Sequence, residues 1–433
     1  MAERLMGMQE HLPVQRPAGR NWAGNLRYQA PQVNLPQNLT QLQQLVARSA
    51  QVRVLGSRHS FNEIADTPHT LISLDHLPHE LRVDRETLSV RVNGALRYGT
   101  LAQALQAQGY ALHNLASLPH ISVAGAVATG THGSGDRQGN LATAVRALSL
   151  VLADGSLKTV RRGDAQFPGM VVNLGALGVV SHLELQLQPD FAVRQQVVED
   201  LEWEAVLADF TAVTSSAYSV SLFTDWRGTR IGQGWFKHRV AGPGGSVQPE
   251  LFGGRLATLP RHPLPGIDGR ICTTQLNQPG PWSRRLAHFR MDFTPSAGAE
   301  LQSEYLVPRE HAVAALGALR ELTALISPLL LVSEIRTVAA DELWLSGSYQ
   351  RESVAVHFTW RPDQPAVMAL LPVIEAALAP YNARPHWGKL FTVQGQQLRE
   401  LYPRAGDFLD LAAQLDPAGK FSNQFLKRTL QGR

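Results

Sequence analysis

The sequence predicts an α+β or α/β fold in more than one domain, and three observations carry that reading. Its 433 residues exceed what one hydrophobic core ordinarily organises, so two or three domains are expected. Short β-like runs alternate with helical patterns through the first part of the chain, which argues against an all-β barrel. Near residue 190 the texture changes to longer mixed strands and most of the tryptophans. Hydrophobic residues form 44% and charged residues 18%, which supplies a large core and excludes whole-chain disorder.

The elements follow in chain order. Leu39, Leu42, Leu45 and Val46 recur at helical spacing behind Asn38, a residue type that caps helices. Residues 52–55 read as a strand that runs into the loop GSRHSFNEI, with further strands at 71–74 and 88–92. Thr100 is placed to cap a helix, LAQALQAQ, that Gly109 ends. Residues 115–136 are a long tract of small residues, LASLPHISVAGAVATGTHGSGD. Asp154-Gly155 between two β-like runs predicts a hairpin. Leu183, Leu185 and Leu187 alternate with Glu184, Gln186 and Gln188, the pattern of a strand with one buried face. YSVSLFTDW and GQGWFKH read as strands, 241–282 as a Pro/Gly-rich tract, and about 308–326 as one helix. The last forty or so residues return to short helices and loops.

Several function classes are set aside by what is missing. The net charge is only +4, from 40 Lys+Arg against 36 Asp+Glu. These charges are scattered, without the basic stripe or reader motif of a nucleic-acid partner. No apolar run is seen to approach the ~18–20 residues of a membrane span. The start, MAERLMGMQEHLPVQRPAGR, lacks an apolar core after its basic residue, so no secretory signal is expected. The single cysteine, Cys272, forms neither an intrachain disulfide nor a Cys-Cys zinc pair and fits the cytoplasm. His76-x-x-His79 lacks the other ligands of a metal site, and no G-x-S-x-G elbow is present.

Three segments carry candidate chemistry. In the tract at 115–136, small residues permit close backbone approach, and consecutive N–H groups in Gly-rich turns make anion-binding concavities. THGSG suits a diphosphate but matches neither the Rossmann fingerprint nor the Walker loop, and a tightly packed small-residue loop is the other reading. Gly56-Ser57-Arg58-His59-Ser60 directly follows a strand, a common position for ligand loops, although a plain turn with an exposed histidine fits as well. Glu334 and Arg336 lie two apart in LLLVSEIRTV, and His357 and Thr359 lie two apart in SVAVHFTW. On strands each pair shares a face. If both strands join one sheet they form a polar wall, to which Lys389 in HWGKLF adds a second cation; a solvated Arg–Glu bridge is the alternative.

NWAGN (21–25), VLGSRHSFNEIAD (54–66), LASLPHISVAGAVATGTHGSG (115–135), SEIRTV (333–338), VHFTW (356–360), HWGK (386–389) and DPAGKFSNQF (416–425) together resemble the alditol oxidases. These are FAD-linked oxidoreductases of the vanillyl-alcohol-oxidase type, and the resemblance runs from about residue 20 to 425. It implies an α+β fold with a split FAD domain: an N-terminal part at 1–190, an inserted substrate domain at 191–391 built on a mixed or antiparallel sheet, and a return at 392–433. It implies FAD held through a covalent 8α-histidyl link at His59, with Cys272 matching no second attachment motif. Val54, Leu55, Gly56, Ser57, Arg58, Ser60, Ser117, Ser122, Gly125, Thr129, Gly130, Thr131, His132, Val180 and His386 are its expected cofactor contacts.

The same resemblance assigns Ser117, Glu334, Arg336, Thr359 and Lys389 to the polyol. Arg336 and Lys389 are suited to stabilise a developing alkoxide, and His357 is the candidate proton acceptor. The expected reaction oxidises a terminal hydroxyl of a straight-chain polyol such as xylitol or sorbitol to the aldose, with O2 reoxidising the flavin to give hydrogen peroxide. A gulonolactone-type oxidase or dehydrogenase is the nearest alternative, and a flavin-free carbohydrate-binding protein a remote one. The expected partners are the polyol and O2 alone, with no nucleic acid or membrane, in a monomeric cytoplasmic enzyme without a metal.

Overall fold

The computed structural model describes residues 13–240, 251–293 and 300–432. The first twelve residues, read above for a secretory signal, and the 241–250 part of the Pro/Gly-rich tract lie outside the described residues.

The N-terminal half builds two larger sheets and a two-stranded ladder of Tyr110–Ala111 with Gln188–Pro189. In the first, Thr70–Ile72 pairs in parallel with both Gln32–Leu35 and Val52–Val54, and Val14–Pro17 closes the far edge. The helix Leu39–Arg48 precedes Val52–Val54, and the Asn38 side chain caps it by accepting from the Gln41 N–H at 2.9 Å. Its Leu42 and Val46 pack with Val52, Ile72 and Phe421. The second sheet is antiparallel in the order Leu81–Asp84, Ser89–Asn93, Val179–Gln186, Val145–Val151, Leu157–Arg161. The Asp154-Gly155 hairpin joins its last two strands, with Gly155 at φ 85°. Leu183 and Leu185 face the core as the alternation predicts.

Two helices depart from expectation. Thr100 caps nothing, because the helix runs Tyr98–Gln106 and starts two residues earlier. Its first-turn donors are satisfied by chain rather than by a cap: the N–H groups of Tyr98 and Gly99 donate to Ile121 and Pro119 carbonyls at 3.0 and 2.8 Å. The stretch expected as one helix at 308–326 is broken into Ala312–Glu321 and Thr323–Ile326. Leu322 leaves helical geometry there, and the Thr323 hydroxyl donates to the Trp226 carbonyl at 3.0 Å.

A nine-stranded sheet follows. Its central order is Ala192–Glu202, Arg230–Arg239, Ser219–Thr224, Leu330–Val338, Ser353–Trp360, Leu301–Pro308, with each neighbouring pair antiparallel. One face carries Val220, Phe236, Ile335, Val356 and Phe358, which pack with Trp203, Val213, Leu316 and Leu371 of the covering helices. Among these helices the stretch Gln364–Tyr381 has 18 residues and, by length and composition, is apolar enough to cross a membrane. That corrects the expectation that no run reaches spanning length. In the fold its Val367, Leu371, Ile374 and Leu378 are fully buried in the same core.

After helix Ala405–Leu415 the chain returns to the first sheet. The Val52 N–H donates to the Lys420 carbonyl at 2.8 Å, and Lys420 Nζ reaches the Val46 and Ala153 carbonyls at 2.7 and 2.6 Å. Arg53 is the buried clasp. It donates to the carbonyls of Phe421, Leu174 and Gly175 at 2.7, 2.8 and 2.9 Å, and also to that of Ile64. Burial pushes its guanidinium down to about 10. Arg53→Met removes these donors and strands buried carbonyls, so a stability loss of about 3 kcal/mol is expected. A lowered urea midpoint of the holoprotein checks it, and an unchanged midpoint would contradict the clasp.

Candidate active site

A cavity of about 400 Å³ lies between the loops of the N-terminal half and the other face of the nine-stranded sheet. That volume is within the usual range for small-molecule sites, ~300–1,000 Å³.

One wall is the loop after Val52–Val54. Its Leu55 N–H still pairs with the Ile72 carbonyl at 2.7 Å, after which the chain turns through Arg58 at φ 65°. Arg58 bends away to bond the Ala18 carbonyl and lie over the Tyr28 ring. His59 stacks on Trp22, with ring centroids 5.3 Å apart. Both of its ring nitrogens are buried without a hydrogen-bond partner in the protein, and burial pushes its pKa down to about 4. A neutral imidazole with an unused lone pair is a nucleophile in waiting. The loop then ties itself to the Lys389 segment: the Phe61 N–H donates to the Gly388 carbonyl at 2.8 Å, and Asn62 Nδ2 to those of Trp387 and Lys389 at 2.9 and 2.7 Å.

The small-residue tract supplies the adjoining wall. Ser57 Oγ accepts from the Ser122 N–H at 3.1 Å, while Ser122 Oγ is buried and unpaired. A Cβ added at Gly56 or Gly125 would meet that oxygen at 2.5 or 2.8 Å, so only glycine leaves it open. Orphaned hydroxyl and imidazole atoms beside glycine backbone fit an extended cofactor carrying phosphates and a ring system. Of the residues expected to contact the cofactor, all but Gly130 line the cavity. Gly130 turns the chain at φ 64° after helix Val123–Ala128 and does not reach the wall.

The opposite wall is the one anticipated from SEIR and VHFT, and the ladder register assembles it. Glu334 lies directly opposite His357, and His357 directly opposite Glu304 on the next strand. Gln302 stands opposite Thr359 in the same way. Glu304 is 1% exposed and central. It bonds Lys389 Nζ, lies 2.6 Å from Arg336 Nη2 and 3.2 Å from His132 Nε2. Lys389 Nζ is also 2.6 Å from His357 Nδ1, and His357 Nε2 is 3.0 Å from Thr359 Oγ1. Arg336 Nη1 donates to Ser117 Oγ at 3.3 Å, and Arg336 Nε lies 3.6 Å from Glu334 Oε2.

Burial alone would raise both carboxyls, but the neighbouring cations win. Lys389 and Arg336 hold Glu304 well below its ordinary value, and Arg336, with the hydrogen bond from His288, does the same for Glu334. Burial lowers Lys389, while for Arg336 the two carboxylates outweigh burial and raise it. Burial, then Lys389, push His357 down to about 4, so the ring is neutral near pH 7. Lys389 therefore donates to Nδ1, and Nε2–H donates to Thr359. The wall balances two carboxylates against two cations in a place with little water. Such a wall suits a ligand that carries hydroxyls and gains negative charge on an oxygen during reaction.

The sequence reading missed Glu304, Gln302, His288 and Lys237. Glu304 and Gln302 had the same signal as SEIR, two polar residues two apart in LQSEYLVP. His288 had none, since it sits in an irregular loop whose path only the fold defines. Among the described residues no cluster of metal ligands exists.

Comparison with known proteins agrees with these features. The FAD binding domain family matches residues 31–161, and the D-arabinono-1,4-lactone oxidase family matches 296–429. An alditol oxidase of a Streptomyces species is 49% identical over 95% of this chain and 99% of its own. An L-gulono-1,4-lactone dehydrogenase of Mycobacterium tuberculosis is 29% identical over 96% of this chain and 99% of its own. In fold, the cholesterol oxidase of B. sterolicum superposes with a TM-score of 0.78 at 15% identity, covering 96% of this chain and 97% of the other. The chain thus belongs to the alditol oxidases, FAD-linked oxidoreductases with the α+β fold of the vanillyl-alcohol-oxidase type.

Proposed function

We propose that the enzyme oxidises the terminal primary hydroxyl of a straight-chain polyol, of the xylitol or sorbitol type, to the aldose. Bound FAD supplies the hydride acceptor, and O2 takes the electrons on to give hydrogen peroxide. The observation that carries this reading is the charge-balanced wall of Glu304, Arg336, Glu334 and Lys389 facing the glycine-rich loops across one cavity. The 49% identical alditol oxidase supports it. A substrate hydroxyl set against Lys389 takes the third ammonium hydrogen, the other two being directed at Glu304 and His357. Arg336 adds a second positive field at the same oxygen as it loses its proton. His357, neutral above about pH 4, accepts that proton on Nδ1 as Lys389 turns its hydrogen from Nδ1 to the forming alkoxide. Ser117, Thr359 and Glu334 bond hydroxyls further along, and a site built for several hydroxyls rejects analogues lacking them. We also place the enzyme in the cytoplasm, a reading supported by its lone, buried Cys272.

Two results are expected. Under anaerobic conditions xylitol or sorbitol should bleach the flavin faster than vanillyl-type phenols or aldonolactones, and with O2 peroxide should appear in equal amount to aldose. Faster reduction by a phenol would overturn the polyol reading. We further assign His59 as the site of an 8α-histidyl link, supported by its buried, unpartnered nitrogens. Tryptic mass spectrometry should find the flavin on the peptide holding His59, and His59→Ala should release free FAD on acid precipitation. Yellow, active enzyme with an unmodified peptide would exclude the link.

A further inference from the structure

Beside the wall, on the same face of the sheet, lies a buried ammonium that the proposed reaction does not use. Lys237, on strand Arg230–Arg239, is 1% exposed. Its Nζ lies 2.6 and 3.0 Å from the Leu286 and Ala287 carbonyls and 3.1 Å from His288 Nδ1. The other nitrogen of that ring, His288 Nε2, is 2.6 Å from Glu334 Oε1. Trp235 and Phe223 meet the imidazole edge-on, with centroids 5.0 and 5.6 Å away, so the ring cannot turn freely. The series Lys237–His288–Glu334 thus runs along the cavity face of the sheet, from a strand two places away to the wall.

We propose that Lys237 is a positioning residue for polyol binding: through His288 it holds the Glu334 carboxylate turned toward a substrate hydroxyl. This rests on Glu334 contacting the polyol, as set out above. The donor count makes the case. An ammonium has three hydrogens, and three acceptors surround it: two carbonyls and His288 Nδ1. With Nδ1 accepting, the imidazole proton must sit on Nε2, where it donates to Glu334 and fixes that carboxylate. A neutral amine has only two hydrogens for the same three acceptors. His288 is then free to carry its proton on Nδ1, and its Nε2 lone pair faces an anionic oxygen. Glu334 then loses the donor on Oε1 and keeps only Arg336, 3.6 Å from Oε2.

Burial pushes Lys237 down to about 7, with Glu334 and Cys272 acting on it besides. Burial likewise pushes His288 down to about 4, against Glu334 and with Lys237 and Arg336. His288 therefore stays neutral while Lys237 changes charge. The sign follows directly: Lys237 is charged and Glu334 anchored below about pH 7, and the anchor is lost as pH rises through that value. KM for xylitol should be low on the acid side and climb above neutrality.

The test compares holoenzymes by steady-state kinetics with xylitol. Lys237→Met should raise KM about tenfold, the scale of a lost hydrogen bond to a charged group, while changing kcat by no more than about threefold. It should also flatten the rise of KM with pH. His288→Ala should raise KM to the same extent, and the double variant no further, because both act along one series. Additive effects, or an unchanged KM in Lys237→Met, would overturn the proposal. Glu334→Gln separates the two readings: if its KM is also normal, Glu334 itself does not bind the polyol, whereas a raised KM there alone sinks only the role of Lys237. Should Lys237→Met fail to fold, the wild-type profile decides, and a KM constant from about pH 6 to about pH 9 rules the proposal out.

Discussion

Lys389→Met is expected to slow flavin reduction by xylitol about 10²–10³-fold, the scale for removing one preorganised donor from a developing oxyanion. Lys389 bonds both Glu304 and His357, so its loss has two consequences. The reacting oxygen loses a charge that acts mainly in the transition state, which lowers kcat more than it raises KM. His357 Nδ1 also loses its donor, so the neutral ring is free to change tautomer and its lone pair is no longer fixed on Nδ1. Arg336 still neutralises Glu304 at 2.6 Å, and the cofactor loop is still held by Asn62 to the backbone of residues 387 and 389. The variant should therefore fold and stay yellow. Lys389→Arg should not rescue it, because a planar fork cannot replace three hydrogens radiating from one nitrogen. Stopped-flow reduction without oxygen isolates the step. A normal limiting rate with only KM raised would show that Lys389 binds substrate and does not assist the chemistry.

How much of this was legible in the sequence depends on how far each signal reaches along the chain. Strand Leu330–Val338 and strand Ser353–Trp360 carry a period of two, which states the face of each residue. That is enough to set Glu334, Arg336, His357 and Thr359 on one wall once the strands pair. The pairing itself is a long-range fact. Glu304 comes from a third strand that pairs beyond Ser353–Trp360, so the register that makes it the centre of four polar contacts has no local signature. Lys237 and His288 are harder still, since their meeting depends on an irregular loop laid over the cavity face of the sheet. Local errors had local causes. Thr100 is a good capping residue, but two carbonyls of the 119–121 segment reached the preceding N–H groups first. The helix at 308–326 broke where Thr323 found a partner outside it.

Glu304→Gln should lose about as much activity near pH 7 as Lys389→Met, although the amide keeps the shape of the side chain and Glu304 itself need not touch substrate. The reason is charge. Glu304 is the anion shared by Arg336 and Lys389, and it is nearly without solvent. Replacing it by an amide leaves two buried cations facing Glu334 alone, and breaking a buried pair in this way typically costs ~3–5 kcal/mol. The wall has one inexpensive way to restore balance. Arg336 cannot give up its proton, but Lys389, already lowered by burial, can. The variant should accordingly hold Lys389 as a neutral amine at pH 7, unable to stabilise an alkoxide. Acid reverses this. As pH falls, Lys389 is protonated again and reduction should speed up, whereas the wild-type enzyme, whose Lys389 is supported by Glu304, should show no such gain. Lys389→Met should show none either, because it has nothing to protonate. Anaerobic reduction rates across pH for the three proteins distinguish the cases. Wild-type rates in Glu304→Gln at neutral pH would mean that Arg336 and Lys389 do not need the anion between them, and the account of the wall as a balanced charge network would fail.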